Sequence, residues 1–600
     1  MTEIAEARPD FAPNGADRLD NRLETTALAR SPFVIAVIGH RNLRDDNLQS
    51  IRGSVTAFFE TIRSFLPDTE IVVLAGMAAG GDLVVAQTAL DAGLRVEAAL
   101  PMPLGEFALD FDDRNLRLLH QLLAHPNLRY VELSPPISAN ADGNRREAAY
   151  RNLTDALIRK GNLMLALWDG KAAHRPGGTA DTVLRCLKVR TDDNSHLLHV
   201  DFAQGDPLIN TDASFVYWVP IAAGTEDDAV AALPPCFLTG LGDTIQKYGA
   251  DPPTALRGRL QDLNDYNRDY QRVAETGAAV DSLLPGVPSG LGIEDPDRLH
   301  RINAEYGKAD ALALHYQRRS DGLFGLFGTF AFIIGSIYLI YDKLGENRQL
   351  LEAYLVILVI SVVLYRALYT KIWFVKHLRY RALAETMRVN FYLCLAGVGQ
   401  RVDSAEILAL SGIARFEGFG WIGYVLRNVD SVESRSSKTP DVRCSEYVRE
   451  AWVENQRRYF DRKVAQLELK SLRVARGQRL TLAVTVSVLV ARMLFANSMK
   501  DVYVLPNVPL KNLLMLGVGI AALFLGAWKL HQSKMATREL IWQYKNQLIH
   551  FSQSSSELQR TATLSRRIDV LVELGKRSVM ECYIWTIHRY HREHTPPAGG

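Results

Sequence analysis

From Phe33 the chain alternates short, continuously apolar runs with stretches whose apolar residues recur every three to four positions. Phe33–Ile38, Ile71–Ala75, Leu94–Leu100, Leu163–Trp168 and Val216–Ile221 read as strands buried on both faces. Between them, Asn47–Phe65 sets Ile51, Val55, Phe58, Phe59 and Ile62 on one helical face. Leu83–Ala92, a stretch from about Arg145 to Lys160, and one opening near Thr179 and ending at Leu187 continue the helical pattern. Buried strands alternating with amphipathic helices predict an α/β domain whose parallel sheet is covered on both sides, over about residues 31–221.

The second half changes character. Leu323–Tyr341 (19 residues) and Asn512–Trp528 (17 residues) carry no charge and approach the length of a bilayer-crossing helix. Ala353–Tyr369 and Leu480–Met499 are interrupted by Arg366 and Arg492, leaving uncharged runs of 13 and 12 residues. Each weaker segment is joined to a charge-free one by a short loop, so the pattern predicts two transmembrane hairpins. The alternative is two spans plus two buried or re-entrant helices.

Lys and Arg crowd the ends facing away from the short loops, while Asp342–Glu352 and Lys500–Lys511 carry two basic residues each. The positive-inside bias therefore places both termini in the cytosol of an inner-membrane, multi-pass protein. Arg366, near the cytosolic end of its span, is expected to snorkel; Arg492 is the better pore-lining candidate. Gly517/Ala521 and Ala522/Gly526 permit close helix packing, whether within one chain or in a homo-oligomer.

Six hundred residues exceed one core, and a net charge of +2 without a basic, aromatic-interleaved stripe argues against a nucleic-acid binder. Five scattered cysteines offer neither a disulfide framework nor metal-ligand spacing, as expected of free thiols in a reducing cytosol. Residues 1–30 form a polar arm without a signal-peptide core, 222–300 a Pro/Gly/Asp-rich connector, 401–446 a loop-bearing linker containing Ser431–Asp441, and 593–600 a tail.

The chemistry lies in the strand-to-helix turns, because ligands of open parallel sheets bind beyond the carboxyl ends of the strands. Three turns carry small or polar residues there: Gly39-His40-Arg41, Gly76 through Ala79, Gly80 and Gly81 to Asp82, and Gly177-Gly178-Thr179, the last following Asp169-Gly170 and Pro176. Glycines let a phosphate approach the backbone, helix N-termini supply donors, and Arg41 adds a charge-assisted contact. The competing reading is that these glycines only turn the chain. Asp82 and Asp181 serve equally well as helix caps or ligand contacts, and His40 as a structural hydrogen-bonder.

Together, Val37–Arg41 (VIGHR), Gly76–Asp82 (GMAAGGD), the ALP ending at Pro101 and the Leu167–Val183 stretch resemble the SLOG superfamily, the Rossmann-like fold of DprA-type proteins and LOG nucleotide hydrolases. That resemblance implies a nucleotide-binding domain over 31–221. The LOG hydrolases carry a longer glycine-threonine run and a catalytic glutamate after PGG, whereas this chain continues Thr179-Ala180-Asp181-Thr182-Val183. The departure favours recognition without turnover, and no catalytic residue is assigned.

In the membrane half, Tyr306–Arg318, Tyr380–Val398, Trp452–Arg476, Thr537–Leu558 and Leu571–His588 flank the hairpins. The layout, over modules 301–400 and 447–592, resembles the SLATT family, two-helix membrane modules associated with SLOG domains in prokaryotic conflict systems. The two resemblances together imply a nucleotide-gated, pore-forming effector of antiphage defence. Its ligand is expected to be a cyclic oligonucleotide or ADP-ribose derivative made by a partner enzyme, with no bound cofactor or metal. The alternatives are a membrane-tethered hydrolase acting through Asp82, Asp181 or His40, and a constitutive transporter or scaffold.

Overall fold

The structure, a computed structural model, describes residues 30–134, 143–171, 177–188, 214–222, 230, 232–241, 244–277, 279–288, 290–345, 347–369, 373–398, 418–430, 441–495, 502–505, 508–534, 537–561 and 563–594. The polar arm before Arg30, Pro176, Met499, most of the Ser431–Asp441 loop and the last six residues lie outside the described residues. The described residues within Asn14–Lys308 and Thr386–Cys444 form one compact unit, and those within Ala309–Glu385 and Ser445–Gly600 a second.

The first unit is built on β1 (Phe33–Gly39), α1 (Leu48–Phe65), β2 (Ile71–Ala75), α2 (Gly81–Asp91), β3 (Arg95–Leu100), α3 (Asp113–Leu123), β4 (Leu128–Glu132), α4 (Gly143–Lys160), β5 (Leu163–Trp168), α5 (Thr179–Leu187), β6 (Phe215–Pro220), β7 (Cys236–Leu241), β8 (Thr244–Lys247) and α6 (Thr254–Glu275). The sheet order is β4-β3-β2-β1-β5-β6-β7-β8, with β1 to β6 parallel and the last two strands antiparallel. Every residue of β1, β2, β5 and β6 is buried, which is why their sequences are unbroken apolar runs. Helix α1 buries the five residues its spacing predicts.

The sheet continues past Ile221. The stretch read from sequence as a connector supplies β7, β8 and the 22-residue α6. Short antiparallel strands such as CFLTGL and TIQK lack the continuous apolar signature that marked β1 and β5. The edge strand β4 escaped for a related reason: in LRYVE only Leu128 is buried, with Arg129, Tyr130 and Glu132 exposed, so it reads as polar.

The amino ends of β1 and β5 are tied to distant segments. Here α7 (Pro296–Leu344), α8 (Arg348–Tyr369), α9 (Trp373–Leu395) and α10 (Ile422–Val429) follow in chain order. Asn267 of α6 accepts from the Ser31 amide at 2.9 Å. Asn162 accepts from the Val34 amide at 2.8 Å and donates to the Tyr424 carbonyl at 3.2 Å. The Lys160 ammonium donates to the Asp430 carbonyl at 2.7 Å, and Arg298 pairs with the Asp430 carboxylate at 2.8 Å. A helix from the expected linker is thus part of the α/β unit.

In the second unit, α11 (Val442–Val448) and a π-helical turn, Arg449–Glu454, run into α12 (Asn455–Leu494). A two-stranded antiparallel pair, β9 (Tyr503–Leu505) and β10 (Val508–Pro509), precedes α13 (Leu510–Lys534), α14 (Thr537–Arg560) and α15 (Leu564–His594). Among the described residues, four helical stretches are long and apolar enough to cross a membrane: Pro296–Leu344, Arg348–Arg366, Val442–Leu494 and Leu510–Lys529. On α8, Leu355, Val356, Val359, Ile360, Val362 and Val363 are all exposed, a surface suited to lipid rather than water. The third apolar stretch ends as helix at Leu494, so Arg492 lies in its last turn.

Two leucines seat on glycines between α7 and α13. A Cβ at Gly335 would lie 2.8 Å from a Leu523 methyl, and one at Gly519 2.8 Å from a Leu339 methyl. Small residues here let two apolar helices approach where hydrophobicity alone gives no preference for each other over lipid. A Cβ at Gly517 or Gly526, the glycines singled out from sequence, would meet nothing within 4 Å.

All five cysteines are free; four are buried and Cys582 is half-buried. Burial pushes the Cys186 and Cys236 thiols up to about 11 and Cys394 to about 12. Since the thiolate is the reactive form, a maleimide is expected to label the native protein once, at Cys582. Intact-mass spectrometry checks this: Cys582→Ser should stay unlabelled over the same interval, and an equally fast reaction in that variant would contradict the burial pattern.

Among the described residues, the chain passes from one unit to the other inside three helices, α7, α9 and α11, at residues 308/309, 385/386 and 444/445.

Candidate functional site

The strand order reverses between β1 and β5, and at such a switch point the turns diverge to leave a crevice at the carboxyl edge. The His40 amide donates to the Leu167 carbonyl at 3.1 Å, extending the β1–β5 ladder, and the His40 carbonyl accepts from the Gly81 amide at 2.9 Å. The β1 and β2 turns therefore touch through their backbones. A Cβ at Gly39 would lie 2.7 Å from the Gly81 Cα, and one at Gly80, where φ is +85°, only 2.1 Å from the Arg41 carbonyl oxygen. These glycines do more than reverse the chain: they are what permits two turns to share one site.

The β2 turn is strained. Met77 is fully buried with φ of 57°, a left-handed conformation that costs a non-glycine residue about 1–3 kcal/mol unless its surroundings impose it. Asp82, second residue of α2, is 1% exposed; its Oδ2 accepts from the Ala78 amide at 3.3 Å. Its Oδ1 makes no hydrogen bond among the described residues. Burial pushes this carboxyl up to about 7, against the Ala78 and Gly39 amides and the Arg41 charge. Asp82 can thus sit at the crevice as a neutral acid or as an anion near physiological pH.

Across the switch point His40 Nε2 lies 3.1 Å from Asp169 Oδ1, which also accepts from the Lys171 amide at 3.1 Å. Burial works to raise Asp169, but the bonds from His40 and Lys171 outweigh it and hold the carboxyl below its usual range. Gly170 follows with φ of 76°.

The third turn packs on α4. A Cβ at Gly177, φ +78°, would lie 3.3 Å from the Arg151 amide nitrogen. Asp181 reaches back from the first turn of α5 to accept from the Gly177 amide at 2.8 Å. Gly178 caps α5, and Thr179 is buried. Gly76 closes on Leu153 of α4, where a Cβ would lie 2.7 Å from its side chain. Ala79 is half-buried in the β2 turn. Pro101, also buried, ends β3 two strands from β1. The structure thus gathers Gly39, His40, Arg41, Gly80, Gly81, Asp82 and Asp169 at the switch point, with the Gly177–Asp181 turn seated on α4.

Sequence reasoning missed three residues beside them. Arg146 and the Tyr150 hydroxyl both bond to Asp110, and Arg41 stacks over the Tyr150 ring at 5.0 Å. Burial and the bond to Asp110 keep the Tyr150 hydroxyl above the usual phenol range, so it remains a donor. Arg146 and Tyr150 are four residues apart on a helix, and that i,i+4 spacing was available in the sequence. Asp110, at the end of a short helical turn after β3, was not. Of the membrane arginines, Arg366 is exposed and Arg492 half-exposed in a single chain. Among the described residues no cluster of three His, Cys, Asp or Glu is placed to hold a metal ion.

No family model and no curated protein matches this chain. Among solved structures, DNA processing protein A (DprA) from Streptococcus pneumoniae aligns at 16% identity with a TM-score of 0.22, over 34% of this chain. The alignment spans about half, 55%, of that protein's chain. A likeness this slight carries no functional weight. The class that the architecture itself defines is a parallel-dominated, Rossmann-like α/β unit in one chain with a helical region holding four helices able to cross a membrane.

Proposed function

We propose that the chain is a nucleotide-gated membrane effector: the α/β unit binds an anionic nucleotide at its carboxyl edge, and the four apolar helices respond by permeabilising the bilayer. The observation that carries the reading is the backbone contact of the β1 and β2 turns at the switch point, with Arg41 beside it. Such an edge sets helix N-termini and a cation where phosphates bind in folds of this kind. The ligand would be a cyclic oligonucleotide or an ADP-ribose derivative supplied by a partner enzyme. The working form would be a homo-oligomer in the inner membrane with both termini cytosolic, in the antiphage role that the SLOG and SLATT resemblances imply.

Titrating the detergent-solubilised full chain with these nucleotides tests it. Gly178→Asp or Arg41→Glu should weaken binding by about 1–4 kcal/mol, the cost of losing a charge-assisted contact and opposing like charges. Unchanged affinity in both variants by calorimetry would remove the site from consideration.

The His40–Asp169 pair supports a second reading. A histidine oriented by a carboxylate is the geometry of a general base, so a nucleotide hydrolase is the alternative. Chromatography of the nucleotide after incubation separates the two readings: a sensor returns it intact.

A further inference from the structure

Resting on the nucleotide reading, the next step concerns one corner of the carboxyl edge. Three donors from two elements converge on a single carboxylate. Arg146 and Tyr150, one turn apart on α4, bond the two oxygens of Asp110, and Arg41 Nη2 lies 4.0 Å from Oδ2, the oxygen that Tyr150 holds. Among the described residues Asp110 is the only carboxylate ion-paired to either guanidinium. Two guanidinium groups and a hydroxyl around one anion form a donor set suited to phosphate, whose geometry and charge match arginine forks. Two positive charges against one carboxylate leave an excess of +1, which a phosphate in that position would balance more fully than Asp110 does.

Asp110 is also placed to be displaced. It ends a single short turn, Ala108–Asp110, that follows the helical Leu104–Phe107 between β3 and α3, not a strand or long helix. Phe107 is fully buried and Glu132 accepts from the Leu104 amide at 2.9 Å, which anchor the start of the segment rather than its Asp110 end. Beyond Asp110, the first turn of α3 is joined to Asp45 by an Arg114 pair whose side chains are 73% and 76% exposed, and exposed pairs of that kind hold weakly.

We propose that Arg41, Arg146 and the Tyr150 hydroxyl are the subsite for a phosphate group of the ligand, and that Asp110 occupies it in the unliganded chain and leaves when phosphate enters. Asp110 is then an internal competitor. It lowers apparent affinity by the fraction of chains whose subsite it fills, and it delays the response until the signal is abundant. If it only organised the arginines, it would remain in place and its loss would weaken binding.

The test uses inorganic pyrophosphate as probe, titrated into the detergent-solubilised full chain by calorimetry. Asp110→Asn, nearly the same shape without the charge, should tighten binding by about tenfold. Arg146→Gln should weaken binding in wild type and erase that gain in the double variant. Asp110→Asn binding no tighter than wild type overturns the proposal, as does a gain that survives Arg146→Gln. The same samples titrated with nucleotide separate the two levels. Nucleotide binding that Gly178→Asp weakens and Asp110→Asn leaves alone sinks this inference while the nucleotide reading stands. Neither nucleotide nor pyrophosphate binding to any variant removes both.

Discussion

Asp430→Ala is expected to destabilise the α/β unit by about 3–5 kcal/mol. Asp430 and Arg298 have side chains only 5% and 9% exposed and lie 2.8 Å apart. Burial alone would lower the Arg298 pKa, yet Asp430 and neighbouring acidic groups carry it above the ordinary value. Removing the carboxylate leaves a buried guanidinium without its closest counter-charge, and that desolvation is not recovered elsewhere. Hydrogen exchange read by mass spectrometry should show faster exchange along Ile422–Val429 and at the start of β1. Wild-type protection in both places would refute the role given to the pair.

The second large effect contrasts two glycines that receive the same added methyl. Gly80 and Gly93 both have positive φ, 85° and 72°, but Gly80 pairs it with a ψ of −117°, a region kept almost entirely for glycine, so alanine there meets the larger backbone penalty too. At Gly93 the new Cβ meets nothing within 4 Å, whereas at Gly80 it falls 2.1 Å from the Arg41 carbonyl oxygen. Gly93→Ala should therefore lose about 1 kcal/mol of stability and keep ligand binding. Gly80→Ala must push the β1 and β2 turns apart, so nucleotide affinity should fall more than tenfold. Equal affinities for the two variants would show that the contact between the turns does not shape the site.

The parallel strands β1, β2, β3, β5 and β6 were legible because burial on both faces demands unbroken apolar runs, and their turns were legible because backbone contact demands glycine. The four apolar helices were legible for the reason that lipid leaves no polar face to mark. Strands β7 and β8 and helix α10 were not. Their sequences are short; β7 and β8 are held by antiparallel pairing to β6 and to each other, and α10 by contacts far away in the chain, such as Tyr424 with Asn162, 262 positions apart. The site divides the same way. Gly39, Gly80 and Gly81 announced themselves, but the carboxylate that Arg146 and Tyr150 hold ends a three-residue turn whose place only the folded chain reveals.

The three crossings between units inside helices have a practical consequence for anyone dissecting this protein. There is no exposed, flexible seam at 308/309, 385/386 or 444/445 for a protease or a cloning boundary to exploit. A fragment ending at residue 221 would strip β7 and β8 from the sheet and leave β6 as a bare, apolar edge prone to pairing with other copies. It would also uncover Phe33, whose ring packs edge-on against Tyr424 at 5.5 Å. A fragment holding the whole α/β unit would need the stretch from Thr386 to Cys444 spliced back after Lys308, in effect a chain with its apolar helices excised.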